Sequence, residues 1–507
     1  MTALRGLLGR HSGVLVGLLT FAMAAVWSVA TPLNTGPDEA SHAAKAASTV
    51  RGVPLGERTP GRSPGYRDVV IPGALWGPDW QCLMLRPDVT ADCISFDLPS
   101  GEVTYTTSAG TYPPTYYAVV GLPTLVFTGI LGFRLERLVG AALFGAFIGL
   151  AWTAAGWSRR PGAIRAALAI ALTPMALFCG AVINPSGLEI SATMAFWVAL
   201  IARVTTGDRR AGVLVAVAGA ALASSRAASP LWAVLIVGVV VLWAGGTQRE
   251  WLVTSIRRLW LPLVPVAIAC GLQAAWVKVV GVDDLHEEPL ARFGDVTEAL
   301  RSALGRMGIL VQHSIGTIGW LDVYPPFVTV VVWCLALSGL LVFTVVGARG
   351  RQLAALAVLS ALWWVMPGVF EADQATQSAF QWQGRYGLPL LVGVPLLAAA
   401  SLSFRPGDVV RRRARLLLGV GLWVGHVAVF YWALHRYMVG ASGPLWPFGS
   451  PAWNPPGGGP VNLVVFAVVT AGFLAAVLAL PVGASPDTNE EPLHGTEGAL
   501  EPGTHRP

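Results

Sequence analysis

The sequence predicts an all-α polytopic membrane protein with about 12 spans plus one re-entrant or partial segment. Its 507 residues are 54% hydrophobic and only 12% charged, which is about half the charge of a soluble domain. The apolar residues also occur in blocks of roughly twenty, the length of a helix that crosses a bilayer. Backbone exposed to lipid must satisfy its own hydrogen bonds, which favours helices. We therefore expect a multi-pass protein of the cell membrane.

The Lys and Arg residues of the short loops indicate in which direction each block crosses the membrane, because such residues favour the cytoplasmic side. With a cytoplasmic N-terminus and no cleavable signal peptide, the first span is 12–33 and the first external loop is 34–113. The later spans are predicted at 138–157, 166–183, 187–204, 211–226, 228–246, 260–280, 325–347, 352–369, 385–403, 416–434 and 461–482.

The block 114–132 is also apolar, but it does not fit this topology as a full membrane crossing. One more crossing there would place every later basic loop on the outside. It contains several Pro and Gly residues, which weaken a straight helix. We interpret it as a re-entrant or partial segment, and a full span with a locally broken charge rule is the alternative.

Domain organisation is simple. Residues 1–484 are predicted to form one transmembrane domain, and 485–507 a disordered cytoplasmic tail rich in acids, Pro and Gly. The net charge of +6 comes mostly from loop residues that set topology, so nucleic acid is not an expected partner. Cys82 and Cys93 share the first long loop, and we favour a disulfide between them over two free thiols if that loop is exported.

An acidic pair directly follows the first span, in the run Thr31 to His42. Asp38 is the candidate catalytic base, and Glu39 and His42 are its candidate partners, since the three share one face of a helix. The alternative is structural: acids stabilise the positive end of a helix dipole. An acid pair beside a membrane nevertheless needs partners, which favours a functional role.

Arginines on the predicted outer side are the second signal. Arg385 precedes an apolar span, and a guanidinium there matches phosphate in bidentate geometry; snorkelling to lipid headgroups is the alternative. Arg134 and Arg137, with Arg226, lie on the same predicted side. We therefore assign phosphate or donor binding to Arg385, Tyr386, Arg134 and Arg137.

Several other residues are possible substrate-binding groups. Asn184 and Glu189 flank a tight turn, and an acid at the start of a span is unusual. Tyr116 marks re-entry into the membrane, where Tyr is also a common interfacial anchor. His313 and Asp322 lie in a half-apolar external segment. The sequence shows no nucleotide-binding fingerprint, no Zn-type Cys/His spacing and no Ser nucleophile elbow.

Four motifs together resemble the GT-C type membrane glycosyltransferases, and more closely a bacterial family of predicted multi-spanning membrane proteins of unknown function grouped with them. The resemblance covers most of 10–480. The motifs are Pro37-Asp38-Glu39-Ala40-Ser41-His42, Asn184-Pro185-Ser186-Gly187, Gly319-Trp320-Leu321-Asp322 and Gln383-Gly384-Arg385-Tyr386-Gly387-Leu388-Pro389.

That resemblance implies inverting transfer of a sugar from a polyprenyl-phosphate-sugar to a cell-envelope glycan, lipid or protein acceptor, at the outer face of the cytoplasmic membrane. It implies Asp38 as base and Arg385 as the phosphate ligand. Some members use a divalent metal with a second acidic motif. Asn184 and Glu189 stand there in place of an acidic pair, so no metal or other cofactor is expected.

Two other functions use the same features. A transporter or flippase of lipid-linked saccharides would need the arginines and aromatic residues, although internal repeats and mid-membrane charges are not evident. A polymerase or ligase of envelope polysaccharide would depend on late external arginines without the first-loop acids.

Overall fold

The computed structural model describes residues 11–62, 65–245, 248–281, 293–373, 382–403 and 407–479. The predicted tail 485–507 lies outside the described residues. Within them the protein is mostly helical. The helices are α1 Ser12–Ala30, α2 Glu39–Thr49, α3 Pro114–Val120, α4 Gly129–Ala155, α5 Pro161–Ala171, α6 Pro174–Ala181, α7 Pro185–Thr206, α8 Arg209–Ala223, α9 Ser229–Ala244, α10 Gln248–Val280, α11 Val296–Gly305, α12 Met307–Ile315, α13 Phe327–Gly347, α14 Gly350–Asp373, α15 Leu388–Leu391, α16 Gly393–Ser401, α17 Asp408–Val439 and α18 Gly459–Ala479.

The predicted number of membrane spans is not confirmed. Among the described residues, nine helical segments are long and apolar enough to cross a membrane, or ten if α5 and α6, bent by 70° at their junction, count as one. The predicted spans 211–226 and 228–246 correspond to α8 and α9, which have 15 and 16 residues. Both are shorter than the roughly 20 residues that cross a bilayer, so about twelve spans is not confirmed.

The block 114–132 contains no helix of spanning length. It forms α3, which has seven residues, and a short turn of helix at Leu122–Leu125. Gly129 then begins α4, a helix of 27 residues. α4 therefore starts nine residues before the predicted span 138–157, and a re-entrant or partial crossing of 114–132 stays a prediction.

The first long loop contains a small antiparallel sheet that the sequence analysis did not predict. Its strands are β1 Glu57–Arg58, β2 Arg67–Pro72 and β3 Glu102–Thr107, in the order β1-β2-β3. The sheet packs on α2 through a separate apolar cluster that includes Ala40, Ala44, Val69 and Ile71. The fold is thus mostly helical rather than all-α, because short β-branched runs in a loop can pair once a helix covers one face.

The same loop is attached to the helical bundle near its disulfide. The structure contains the bond between Cys82 and Cys93 that the sequence analysis favoured. Arg436, near the end of α17, donates hydrogen bonds to the carbonyl oxygens of Val89 at 2.6 Å and Arg86 at 3.0 Å. A buried guanidinium that satisfies several carbonyls holds this part of the loop in one position.

The two ends of the bundle differ in charge. Trp152, near the end of α4, donates to Ser12 at the start of α1, so these helices are antiparallel and the first long loop lies at the other end. At the end opposite that loop, five arginines of the predicted cytoplasmic loops line one cavity: Arg159, Arg160, Arg258, Arg349 and Arg351. The predicted inner and outer loops therefore separate to opposite ends.

Candidate functional site

Asp38 is held at the start of α2 without being used as its cap. Asn34 and Asp38 both have φ of 57°, a left-handed conformation that Asn and Asp tolerate better than most residues. The Asn34 side-chain oxygen accepts the Ala40 N–H at 2.6 Å, whereas Asp38 makes no side-chain cap bond. Its carboxylate is 46% exposed. Helix capping therefore does not account for this acid.

The turn that carries Asp38 is fixed by groups from other motifs. Asn184 donates its side-chain N–H to the Pro37 carbonyl at 3.1 Å, and its backbone N–H to the Tyr116 hydroxyl at 3.1 Å. Trp320 donates its indole N–H to the Asn34 carbonyl at 3.3 Å. The polar groups of Asn184 and Tyr116 thus position this turn, and their substrate-binding roles stay predictions.

Glu39 and Arg137 form a buried ion pair rather than part of a reactive site. The Glu39 carboxylate accepts from Arg137 Nε and Nη2, both at 2.7 Å, and neither side chain is exposed. The remaining Arg137 N–H groups donate to the carbonyls of Ser28, Thr31 and Pro32 at 2.7–2.9 Å. This corrects two predictions: Glu39 has no free oxygen for catalysis in this arrangement, and Arg137 has no free N–H for phosphate.

Arg385 lies against Asp38 and retains unused donors. Its Nη2 is 3.6 Å from Asp38 Oδ2, and its side chain is only 2% exposed. Nη2 also donates to the Tyr386 hydroxyl at 3.2 Å. Within the described part of the chain, Nε and Nη1 are buried and have no hydrogen-bond partner. Buried guanidinium N–H groups without acceptors are costly, so this side chain is suited to an anionic ligand.

Close packing on α12 positions Arg385. Gly384 precedes Arg385, and a Cβ atom added to Gly384 would lie 2.5 Å from the His313 Cβ and 2.7 Å from the Ser314 nitrogen. Ser314 also donates its hydroxyl to the Gly384 carbonyl at 3.1 Å. Only glycine fits at this close backbone approach, which explains the Gly that precedes Arg385.

A second guanidinium lies beside the first. The Cζ atoms of Arg226 and Arg385 lie 4.4 Å and 4.9 Å from the centroid of the Tyr386 ring, within the range of cation–π attraction. Arg226 comes from the turn between α8 and α9 and donates to the Ser186 hydroxyl at 2.7 Å. Arg226 is therefore a second cation beside Arg385, and donor binding by Arg134 stays a prediction.

His42 faces a wall of aromatic residues. Its Nδ1 lies 2.7 Å from the Tyr117 hydroxyl, and its ring packs against Tyr112 at 5.4 Å between centroids. Burial, and then the positive charges of Arg226 and Arg385, lower the pKa of His42 well below its usual range. His42 is therefore a neutral member of the site wall. It hydrogen-bonds Tyr117 in the structure rather than the Asp38 carboxylate that the sequence analysis assigned to it.

The remaining predicted groups, His313, Asp322 and Glu189, stay predictions as substrate ligands. Burial, and then the positive charges of Arg385 and Arg306, lower the pKa of His313 to about 4, and in the described chain its buried Nδ1 has no partner. Asp322 pairs with Arg436, because its Oδ2 accepts from Arg436 Nε at 3.0 Å and Nη2 at 2.9 Å. Glu189 is buried and accepts the Ser229 hydroxyl at 2.7 Å.

The described residues contain no group of three or more His, Cys, Asp or Glu side chains that could hold a metal ion. At the position of the second acidic motif, the Asn184 side-chain oxygen already accepts the Ser186 N–H at 2.9 Å. These donors do not fit a divalent metal, and metal independence stays a prediction.

Comparison with known proteins gives a family without an assigned activity. No curated protein and no solved structure is detectably similar to the chain. One sequence family, described as a predicted membrane protein family (DUF2142), matches residues 21–394. That range contains the Asp38 turn, the Arg226 turn and Arg385, and several apolar helices agree with a multi-pass membrane location. The chain therefore belongs to this family of predicted membrane proteins.

Proposed function

We propose that the protein transfers a sugar from a polyprenyl-phosphate-sugar to a cell-envelope acceptor, as a GT-C type inverting glycosyltransferase. One observation carries the proposal. A half-exposed carboxylate, Asp38, lies 3.6 Å from a buried guanidinium, Arg385, whose Nε and Nη1 have no acceptors in the described chain. A base and an anion ligand are the two groups that this reaction needs.

The charge of the site favours a phosphate-bearing substrate. Arg385 and Arg226 approach the same Tyr386 ring, and Asp38 supplies a half-exposed carboxylate. Glu39, the other acid of the pair, is already neutralised by Arg137. Guanidinium groups bind phosphate through charge-assisted hydrogen bonds that are about twice as strong as neutral ones.

The reaction is a single displacement. The Asp38 carboxylate takes the proton of an acceptor hydroxyl, and that oxygen attacks the anomeric carbon of the sugar. The bond between the anomeric carbon and the phosphate oxygen breaks, and polyprenyl phosphate leaves with the electron pair. Arg385 stabilises the negative charge that develops on the leaving phosphate. Attack opposite the leaving group inverts the anomeric centre.

The site is proposed to face the outside of the cytoplasmic membrane, with both termini in the cytoplasm. The arginine-rich loops lie at the end of the bundle opposite the first long loop, as the bias of positive residues toward the cytoplasm would require. A disulfide between Cys82 and Cys93 in that loop agrees with an oxidising compartment.

Arg385→Gln is expected to weaken binding of a polyprenyl-phosphate-sugar by about 10- to 100-fold, because charge-assisted hydrogen bonds to the phosphate are lost. Arg385→Lys should bind with intermediate affinity, since it keeps the charge but not the planar fork. Binding of a fluorescent donor analogue to the purified full-length protein measures both effects.

Arg86→Gln is the matched control. Arg86 is an exposed arginine of the first long loop that forms no ion pair among the described residues. Its replacement should leave donor affinity within about twofold of the parent, as expected for an exposed side chain without charge partners. Equal losses for Arg86→Gln and Arg385→Gln would contradict a specific phosphate ligand.

A further inference from the structure

A second cluster of arginines surrounds a cavity at the end of the bundle opposite Asp38. The cavity, of about 500 Å³, lies between the ends of several helices. We call it the arginine cavity and define it by Arg159, Arg160, Arg258, Arg349 and Arg351. Among the described residues that line it there is no Asp or Glu. Several positive charges without a lining acid create a positive potential that attracts anions.

Two helices begin at this cavity, and basic residues stand where acids are usual. Arg160 immediately precedes α5, and Arg351 is the second residue of α14; neither helix has an acid in its first turn. The N-terminal end of a helix is itself positive, so cations there raise the energy of the site. The positive helix ends and the neighbouring arginines therefore both attract an anion.

The arginines are not all occupied by the protein. Arg258 donates a hydrogen bond from Nη1 to the carbonyl of Val204, so this arginine has a structural role. Arg351 has a buried Nε without a hydrogen-bond partner in the described chain. Arg349 takes part in hydrogen bonds through its backbone N–H and carbonyl, which contact Gln352 and Leu353. Its side chain is exposed and makes no hydrogen bond among the described residues. At least Arg349 and Arg351 therefore retain donors for a ligand.

We propose that the arginine cavity binds a phosphate-bearing anion, either the headgroup of an anionic membrane lipid or a soluble phosphate. Basic pockets between membrane helices bind lipid headgroups through this chemistry, and the volume is sufficient for a headgroup. The site is separate from the Asp38–Arg385 pair, because it lies at the other end of α1 and α4. It does not depend on the proposed transferase activity.

The test uses delipidated full-length protein and the double variant Arg349→Gln/Arg351→Gln. Native mass spectrometry with phosphatidylglycerol, and with phosphatidylcholine for comparison, measures retained lipid; melting temperature with and without inorganic phosphate measures a soluble ligand. Compared with the parent, the double variant should retain less phosphatidylglycerol by a factor of about ten or more, or its melting temperature should no longer rise when phosphate is added. The first result assigns a lipid headgroup, and the second a soluble phosphate.

Arg209→Gln/Arg257→Gln is the matched control, since both arginines are exposed and neither lines the cavity. It should bind like the parent. Arg349→Gln alone replaces an exposed side chain and should show a partial loss, which keeps the test valid if the double variant misfolds. Equal anion binding by the parent, the control and the cavity variants would overturn the proposal, as would no binding of either anion by the parent.

Discussion

Asp38→Asn is expected to lower sugar transfer by about 10²- to 10⁴-fold, the usual contribution of a general base. The amide has the same shape but cannot take the proton of the acceptor hydroxyl. Asn also tolerates the left-handed backbone that residue 38 adopts, with φ of 57°, so the Asp38 turn should keep its conformation. Transfer of a labelled sugar from polyprenyl phosphate in membranes measures the effect.

Donor binding and a matched acid complete that experiment. Asp38→Asn should bind donor at least as well as the parent, because a negative charge beside Arg385 is removed. Asp97→Asn, an exposed acid of the same loop, should transfer normally. A transporter or flippase of lipid-linked saccharides needs no base. Full sugar transfer in membranes with Asp38→Asn, together with loss of transfer in membranes with Arg385→Gln, would favour that alternative.

Glu39→Gln is expected to destabilise the fold by about 3–5 kcal/mol, the usual effect of removing one partner of a buried ion pair. The pair has no exposed surface, and Arg137 would be left as a buried charge without its carboxylate. Three further hydrogen bonds tie Arg137 to the end of α1 and the chain that follows it. Thermal unfolding of the detergent-purified protein measures the loss.

Two other variants distinguish this structural role from a catalytic one. Asp38→Asn, whose carboxylate is half-exposed, should change the free energy of unfolding by less than about 1 kcal/mol. Glu39→Gln/Arg137→Gln should recover part of the stability, because no uncompensated charge remains buried. A Glu39→Gln protein that is as stable as the parent but inactive would mean that Glu39 acts in the reaction.

A common site for Asp38 and Arg385 was expected from membrane topology and from the resemblance to GT-C enzymes. An acid after the first span and an arginine before a late span were both placed on the outer side, and the arginine needed an anionic partner there. The structure brings their side chains to 3.6 Å. Rules of membrane topology sort residues between the two faces, and a charge on one face then needs an opposite charge there.

The roles of Glu39, Arg137 and Arg226 could not be predicted in this way. Adjacent in sequence, Asp38 and Glu39 diverge because the left-handed turn at Asp38 directs one carboxylate to the site and the other into the bundle. Arg137 and Arg226 were both counted as outer arginines, and only helix packing decides which one lies beside Tyr386. Pairings between distant segments depend on tertiary contacts that periodicity does not encode.

The lengths of α8 and α9 and the presence of the small sheet could not be predicted from the sequence, for related reasons. Apolar runs at 211–226 and 228–246 resemble spans by composition, but the turn at 224–228, which carries Arg226, shortens both helices. In the first long loop, β2 and β3 are each six residues, too short to stand out beside long apolar blocks, and they become stable only because α2 covers them.

Electron cryomicroscopy of the protein with a non-hydrolysable polyprenyl-phosphate-sugar analogue tests the central claim most directly. We expect phosphate density within hydrogen-bond distance of Arg385 Nε or Nη1, and the anomeric carbon on the side of the Asp38 carboxylate. Phosphate density elsewhere, with Arg385 still against Asp38 and its donors unoccupied, would contradict the proposed enzyme.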